Sequence, residues 1–202
     1  MNDSYDHRIF HFIDVTEEER CEKRKQSEAK EWQVSLMLKE LDRMNAIVED
    51  MLLMAKPGAP LLKKAYIEDI LNEILPLYNQ TTKDINFNVD IKPVPLQLDP
   101  RQMTQVLYNL IRNSCEAIGG TGVITIETCI RDNRYCMFIK DTGSGIPVEI
   151  QDKIFDPFLT SKESGTGLGL TIVQKIIENH NGTIELHSTS EAGTTFMISL
   201  PL

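Results

Sequence analysis

The 202-residue sequence is short of basic charge and of long apolar runs, and both shortages exclude functions. Lys and Arg number 21 against 30 Asp and Glu, for a formal net charge of -9. Nucleic-acid-binding surfaces need clustered Lys and Arg, so we do not expect a nucleic-acid partner. A helix needs about 20 apolar residues to span a bilayer, and the sequence has no such run and no opening signal peptide. We therefore expect a cytoplasmic chain, or the cytoplasmic part of a membrane receptor.

Cysteine is scarce as well, and its spacing argues against a zinc site. The four cysteines show no CxxC or Cys/His ligand spacing, whereas zinc sites pair their ligands at short intervals. We expect all four to be free thiols in a reducing compartment: Cys21, Cys115, Cys129 and Cys136.

Proline and glycine are absent from residues 16–56, which predicts one long helix. Through residue 31 both charges are densely mixed, as in a solvated connector. Between Val34 and Ala55, apolar residues recur at alternating steps of three and four, the pattern of a helix-bundle seam. Two interpretations stay open: a homodimer through residues 31–56, or packing of this helix on the globular domain of its own chain.

The segment Lys-Pro-Gly-Ala-Pro at residues 56–60 ends that helix and predicts a linker. Beyond it, helical and strand periodicities alternate, and helices grouped against a mostly antiparallel sheet make an α+β domain of two layers. The predicted helices are 67–80, 100–118 and 168–180, and the predicted strands are 85–91, 123–131, 135–141, 183–188 and 194–200.

The predicted helix at 100–118 carries polar residues that folding alone does not require. Asn109, Asn113 and Glu116 follow a spacing of four and then three, which places them on one face. One interpretation is a set of solvated positions. The other is that the amide oxygens face a hydrated magnesium ion, a hard cation that takes few protein ligands.

Two glycine-rich segments predict contacts with a nucleotide. Asp141-Thr-Gly143-Ser-Gly145 directly follows an apolar strand, where a carboxylate can accept from the exocyclic amine of adenine. Taken alone, this segment is equally compatible with a plain turn. Gly165-Thr-Gly167-Leu-Gly169 opens a helix, whose free N–H groups attract phosphate. Neither a P-loop nor a dinucleotide-binding GxGxxG in a βαβ unit is present.

These motifs, in this order, resemble the N, G1, F and G2 boxes of the histidine-kinase ATPase domain. That domain belongs to the GHKL or Bergerat superfamily, shared with type II topoisomerases, Hsp90 and MutL. The resemblance covers residues 57–202, and the matching motifs are Asn109…Asn113, Asp141-x-Gly-x-Gly, Phe155…Phe158, Gly165-x-Gly-x-Gly and the closing Gly193-Thr-Thr195-Phe.

The resemblance implies Mg²⁺ and ATP as cofactors. It implies that Asn113 and Asn109 hold the magnesium, that Asp141 reads adenine, and that Asn109 and Lys162 take part in catalysis. The ATPase branches have a water-activating glutamate at the position of Asn109, and an amide cannot act as that base, which favours phosphoryl transfer over hydrolysis. The other nucleotide-binding residues implied are Arg112, Glu116, Gly143, Gly145, Ile146, Phe158, Thr160, Ser161, Lys162, Gly165, Thr166, Gly167, Leu168, Gly169, Leu170 and Thr195.

Upstream of residue 57 the resemblance to histidine kinases is incomplete. Residues 1–15 resemble the end of a PAS sensor domain, and residues 16–56 resemble its exit helix joined to the second helix of a dimerisation and phosphoacceptor hairpin. The first helix of that hairpin, with its His-Glu-x-x-Asn-Pro-like box, is not there. None of the four histidines matches that box: His7, His11, His180 and His187.

The leading hypothesis is therefore the ATP-binding catalytic region of a two-component sensor histidine kinase. Such a region transfers the γ-phosphoryl group to a histidine for relay to a response regulator. Two alternatives remain: a non-catalytic, ATP-dependent regulatory or dimerisation module, and a protein Ser/Thr kinase of the anti-sigma type. The appended helix argues against the last, because those kinases resemble the bare domain.

Overall fold

The structure is a computed structural model that describes residues 24, 30–38, 40–41, 44, 48, 58–81, 84–160 and 165–202. The chain divides into two compact units, Met1–Val48 and Glu49–Leu202. Every described residue of the first unit is helical, as predicted, and solvent-exposed. The predictions for residues 1–23 and 49–57 lie outside the described residues.

The described residues of the second unit form three α-helices and seven strands, with one short 3₁₀ helix at Val148–Lys153. In chain order they are β1 (Lys63–Ala65), α1 (Ile67–Thr81), β2 (Ile85–Asp90), β3 (Leu96–Leu98), α2 (Pro100–Ile118), β4 (Gly122–Arg131), β5 (Arg134–Asp141), α3 (Gly169–Asn179), β6 (Thr183–Ser190) and β7 (Gly193–Pro201).

Five strands form the main sheet in the order β2-β4-β5-β7-β6, and β1 and β3 form a separate antiparallel pair. Only β2 and β4 run parallel within the main sheet, while its other three pairings are antiparallel. This arrangement confirms the predicted α+β fold with a mostly antiparallel sheet.

The core lies between the helices and one face of this sheet. Apolar residues of α2 and α3 recur at helical spacing, and the large apolar residues of β5 and β7 alternate along each strand, so those of each element share the face that meets the core. Burying such side chains stabilises the fold by about 1.5–3 kcal/mol each. The central contributors are Val106, Leu107, Leu110, Ile139, Val173, Ile177 and Ile198.

A buried aspartate joins the start of α2 to the preceding linker. Asp99 caps α2 by accepting from the N–H groups of Arg101 (2.9 Å) and Gln102 (3.3 Å), and its other oxygen accepts from the N–H of Leu61 (2.9 Å). The Gln102 side chain also donates to the carbonyl of Gly58. The residues directly after the linker are thus fixed to the domain.

Among the described residues, no helix combines the length and the apolarity needed to cross a bilayer. The short strands β1 and β3 and the 3₁₀ helix were not predicted, because elements of three to six residues carry too little periodicity.

Candidate functional site

The middle of α2 presents a buried polar group that lacks a partner. Asn109 is 5% exposed, and its side-chain N–H₂ group has no hydrogen-bond acceptor among the residues that the structure describes. A buried donor left unpaired costs about 1–3 kcal/mol, so this amide indicates a site that a ligand completes. Asn113 and Glu116 lie further along the same face, Asn113 partly buried and Glu116 exposed.

Arg112 lies on this face between an acidic and an aromatic neighbour. Its Nε atom is 3.7 Å from a carboxylate oxygen of Glu116, which is too long for a hydrogen bond, and that Nε is buried without an acceptor. Its guanidinium carbon lies 5.9 Å from the ring centre of Tyr108, a cation–π distance.

Asp141, at the end of β5, is 3% exposed and accepts three hydrogen bonds. One carboxylate oxygen accepts from the backbone N–H groups of Gly143 (2.9 Å) and Thr194 (3.1 Å). The other accepts from the hydroxyl of Ser114 on α2 (3.2 Å). The carboxylate is thereby fixed in orientation, and the second oxygen keeps capacity for one more donor.

The structure shows which β7 threonine lies beside Asp141, while the nucleotide contact of Thr195 stays a prediction. Thr195 pairs with Lys140 across the sheet, so it shares the face of Lys140 and not that of the Asp141 side chain. Thr194 contacts Asp141 instead, and its hydroxyl lies 3.2 Å from that of Thr189. A shift of one residue along a strand reverses the face, and for this reason the motif alone did not distinguish the two.

The loop after Asp141 is held by β6. Ile146 donates its N–H to the Thr189 hydroxyl (2.9 Å). Gly145 has a φ of +74°, and a Cβ atom there would collide with the backbone oxygen of Ser190. Only glycine fits this close approach without strain.

The start of α3 is preceded by a tight turn and has no side-chain cap. Gly167 has a φ of +67°, and its carbonyl accepts from the N–H of Phe158 (3.0 Å). Phe158 is itself at a φ of +64° and is 61% exposed. Leu168, at the N-cap position, is fully buried and has an apolar side chain, so this residue does not cap the first N–H groups of α3.

The remaining residues of the predicted lid and turn are placed as follows. Thr160 is described and exposed, whereas Ser161 and Lys162 lie outside the described residues. Gly165 and Thr166 precede the turn and are partly buried, and Gly169 and Leu170 are the first two residues of α3.

Helix α2 brings both halves of this site together. Ser114 contacts Asp141, and five residues earlier Asn109 borders α3, because a Cβ atom on Gly169 would lie 3.7 Å from the Asn109 side-chain oxygen. Five residues span about 7.5 Å of helix. A carboxylate suited to an amine and a helix start suited to anions therefore both lie beside α2, as a base and its phosphates require.

The polar groups on α2 also fit a magnesium ion. Mg²⁺ binds few protein oxygens and keeps waters or phosphate oxygens as its other ligands. The amides of Asn109 and Asn113 can supply such oxygens, whereas the unpaired N–H₂ group of Asn109 is a donor and calls for an acceptor such as a phosphate oxygen. Their binding roles, like those of the other site residues, stay predictions.

The two histidines in the described part of the chain lie apart from these groups. His180 caps the C-terminus of α3, is 3% exposed and has both ring nitrogens engaged: Nε2 accepts from the Asp99 N–H, and Nδ1 donates to the Ile176 carbonyl. It has no nitrogen available for phosphorylation. His187 is exposed on β6 and packs edge-on against Phe138.

Three contributing residues were missed from the sequence: Ser114, Thr189 and Thr194. Serine and threonine are common on helices and strands, so residue type gave no signal. The spacing of Ser114, one residue after Asn113, and the alternation of β7 were the only available indications.

Comparison with known proteins identifies the family. Residues 98–202 match the model of the histidine kinase-, DNA gyrase B- and HSP90-like ATPase family. The sensor histidine kinase ZraS of Escherichia coli K12 is 36% identical over 171 residues, which is 83% of this chain and 37% of ZraS. The chain thus spans little more than a third of that relative's length.

Solved structures agree with this result. The nucleotide-free catalytic domain of histidine kinase ThkA is 32% identical, with a TM-score of 0.62 over 69% of this chain and 95% of that one. ThkA in complex with the response regulator TrrA is 29% identical, with a TM-score of 0.68 over 82% of this chain and 49% of that one. The chain therefore belongs to the histidine kinase-, DNA gyrase B- and HSP90-like ATPase family and carries an ATP-binding catalytic domain of the sensor histidine kinase type.

Proposed function

We propose that this chain binds Mg-ATP in the groove along α2 and positions the γ-phosphoryl group for transfer to a histidine. The observation that carries the proposal is the convergence on α2 of the oriented Asp141 carboxylate and the uncapped start of α3. Asp141 accepts from the adenine amine, which guanine lacks, and the N–H groups of α3 bind the phosphates.

Each part of the site has one task in this proposal. Gly143, Gly145 and Ile146 line the base, while Thr160, Ser161 and Lys162 belong to a lid over the phosphates. Asn109 and Asn113 hold Mg²⁺, which when bound neutralises charge on the phosphate oxygens. The α2 groove and the turn at Gly165–Leu170 orient the phosphates, because phosphoryl transfer depends chiefly on positioning and charge neutralisation.

The acceptor and the partners are part of the same proposal. No histidine of the chain has the phosphoacceptor motif, so the phosphoryl group goes to a histidine on a partner, with a response regulator receiving it next. ThkA is found in complex with a response regulator, which supports that partner class. We propose a cytoplasmic location for these steps.

A homodimer through residues 31–56 is proposed on the exposure of the seam. Its described members are each more than half exposed within this chain: Val34, Met37, Leu41, Met44 and Val48. A second copy would bury them. The domain boundaries proposed with it are residues 1–15, 16–56 and 57–202.

The alternatives receive less support. The regulatory module and the Ser/Thr kinase share the ATP site, but the curated relative and the solved neighbours named above are histidine kinases. That agreement favours transfer to histidine.

Calorimetric titration of Asp141→Asn with Mg-ATP tests the site. The asparagine N–H₂ group would meet either the backbone donors of Gly143 and Thr194 or the hydroxyl of Ser114 and the adenine amine. We expect ATP affinity to fall at least about a hundredfold, a loss of about 2.7 kcal/mol. Asp152→Asn, an exposed aspartate on the 3₁₀ helix, is the matched control. Unchanged affinity in Asp141→Asn would sink the assignment.

Incubation with labelled ATP, with and without a histidine-bearing phosphotransfer partner, tests the chemistry. Acid-labile label on the partner is the expected product, since phosphohistidine is acid-labile. Normal ATP binding without any transfer would favour the regulatory module, and acid-stable label would favour the Ser/Thr kinase.

A further inference from the structure

Arg112 lies where the outer phosphates of a nucleotide bound in the proposed site would be. A Cβ atom built on Gly169, the first residue of α3, would be 3.8 Å from a terminal guanidinium nitrogen of Arg112. The same position is 3.7 Å from the side-chain oxygen of Asn109, whose buried N–H₂ group has no acceptor. An uncapped helix start, an unpaired buried amide and a guanidinium thus border the same space.

The present partner of Arg112 holds it weakly. The Glu116 carboxylate is 3.7 Å from Nε, and the two side chains are 41% and 45% exposed. Exposed i,i+4 pairs contribute only about 0.3–0.5 kcal/mol, and a cation placed before the anion along a helix is the weaker orientation. The buried Nε–H donor also lacks an acceptor, so a better anion would displace Glu116 at little cost.

The backbone and ring around Arg112 keep it near the site. Tyr108 lies one turn earlier on α2, with its ring centre 5.9 Å from the guanidinium carbon. The Tyr108 carbonyl accepts from the hydroxyl of Tyr78 on α1 (3.3 Å), and the rings of Tyr78 and Tyr108 are 5.9 Å apart. Burial raises the pKa of Tyr78 well above its usual range, so this hydroxyl stays a donor at neutral pH.

We propose that Arg112 is the specificity residue for the outer phosphates of ATP, and that it exchanges Glu116 for phosphate oxygens when the nucleotide binds. Phosphate offers the planar guanidinium two acceptors at once, which a carboxylate at 3.7 Å does not. Arg112 is on a rigid helix, so this phosphate contact does not depend on the lid that contains Lys162. The proposal rests on the proposed function. It adds that Arg112 makes the site prefer nucleotides with more phosphate groups.

Calorimetric titration of the whole chain with AMP, ADP and ATP in Mg²⁺ tests this assignment. Hydrogen bonds to charged groups contribute about 1.5–3 kcal/mol, so we expect Arg112→Ala to weaken ADP and ATP binding about tenfold or more. AMP affinity stays unchanged. Arg112→Lys keeps the charge but not the two-pronged geometry, and gives an intermediate loss. Arg101→Ala, an exposed arginine near the start of the same helix, is the matched control.

Glu116→Gln tests the exchange. Removing the competing carboxylate should tighten ATP binding a few-fold, and this gain should vanish when Arg112→Ala is added. Weaker ATP binding in Glu116→Gln would overturn the exchange. An ATP-to-AMP affinity ratio in Arg112→Ala equal to that of the unmodified chain would overturn the role of Arg112. Thermal melting of each variant separates loss of fold from loss of contact.

The titrations distinguish failure of the proposed function from failure of the proposed role of Arg112. If the unmodified chain and Arg101→Ala do not bind ATP, the proposed function fails. If both bind ATP and Arg112→Ala keeps the full preference for ATP over AMP, only the phosphate-reading role fails.

Discussion

The two α-helices of the candidate site, α2 and α3, begin in opposite ways. α2 starts at an aspartate, Asp99, whose carboxylate accepts from the N–H groups of Arg101 and Gln102. α3 starts at Leu168, which makes no side-chain cap. Both helix starts carry free N–H groups and the positive end of a helix dipole, but among the described residues only the first has a carboxylate at its N-cap position.

The presence or absence of a side-chain cap at a helix start distinguishes a structural group from a ligand-binding group better than burial does. Asp99 and Asp141 are both buried, and each accepts three hydrogen bonds. Both oxygens of Asp99 accept from backbone N–H groups, of Leu61, Arg101 and Gln102, whereas one oxygen of Asp141 accepts only from the hydroxyl of Ser114 and keeps capacity for one more donor. A helix start that its own chain leaves unpaired is the stronger indication of a ligand.

Gly167→Ala should remove the anion site of α3 altogether. The new Cβ atom would lie 2.5 Å from the carbonyl carbon of Phe158, at a φ of +67° that alanine resists. The turn must shift, and we expect ATP binding to become undetectable by calorimetry while the far-ultraviolet circular dichroism is kept. Gly120→Ala, with nothing within 4 Å of its new Cβ, should bind ATP normally. Equal ATP affinity in both variants would contradict the assignment of this turn.

Gly169→Asp would give α3 the negative group that α2 already has. Its Cβ atom would make only ordinary contacts, at 3.7–3.8 Å from Asn109 and Arg112, so the fold should accommodate it. A carboxylate there competes with phosphate for the helix start, and we expect ATP to bind tens of times more weakly at unchanged or higher melting temperature. Gly169→Ala is the paired control, with a loss of only a few-fold. Equal losses in the two variants would show that bulk, not charge, decides.

Asp99→Asn should affect stability and not binding. Asparagine still caps a helix, but it cannot accept from Leu61 and from α2 at once without turning its N–H₂ group toward a donor. We expect the free energy of unfolding to fall by about 1–2 kcal/mol, with ATP affinity unchanged and faster hydrogen exchange at Leu61. Any loss of ATP affinity beyond twofold would show that the start of α2 is linked to the nucleotide site.

Low pH should remove the stabilisation that the Asp99 carboxylate provides. Burial alone would raise the pKa of Asp99, but the N–H groups of Leu61, Gln102 and Arg101, with nearby His180, lower it below its ordinary value. A carboxyl with a lowered pKa in the folded state stabilises the fold above its unfolded pKa of about 4 and loses this effect as the pH falls further. Urea unfolding of the unmodified chain and Asp99→Asn should therefore converge below about pH 4.

Much of the fold could be predicted because its long elements carry regular periods. Helix α2 was predicted with its observed bounds, since apolar residues repeat from Met103 to Ile111 and Pro100 marks its first turn. The three-residue strands β1 and β3 could not be predicted, because their pairing depends on contacts between segments far apart in sequence.

The residues of the candidate site likewise include some that could be predicted from the sequence and some that could not. Asp141 and the glycine-rich turns stand out in the sequence because glycine and carboxylate are unusual next to apolar strands and helices. Ser114 and Thr194 do not, because their roles follow from which strand and helix lie beside Asp141. The closeness of Arg112 to α3 is likewise a property of helix packing.

The place of β5 in the sheet has a consequence for how the domain opens. β5 is the central strand of five and is paired on both sides, so we expect its amides to be the slowest of the sheet to exchange with solvent. The carboxylate proposed to read adenine is attached to this slowest-opening strand, whereas the turn before α3 lies in a loop. In partial unfolding we expect the contacts with the phosphates to be lost first and the contact with the base to be lost last. Residue-resolved hydrogen exchange with bound ATP would measure this order.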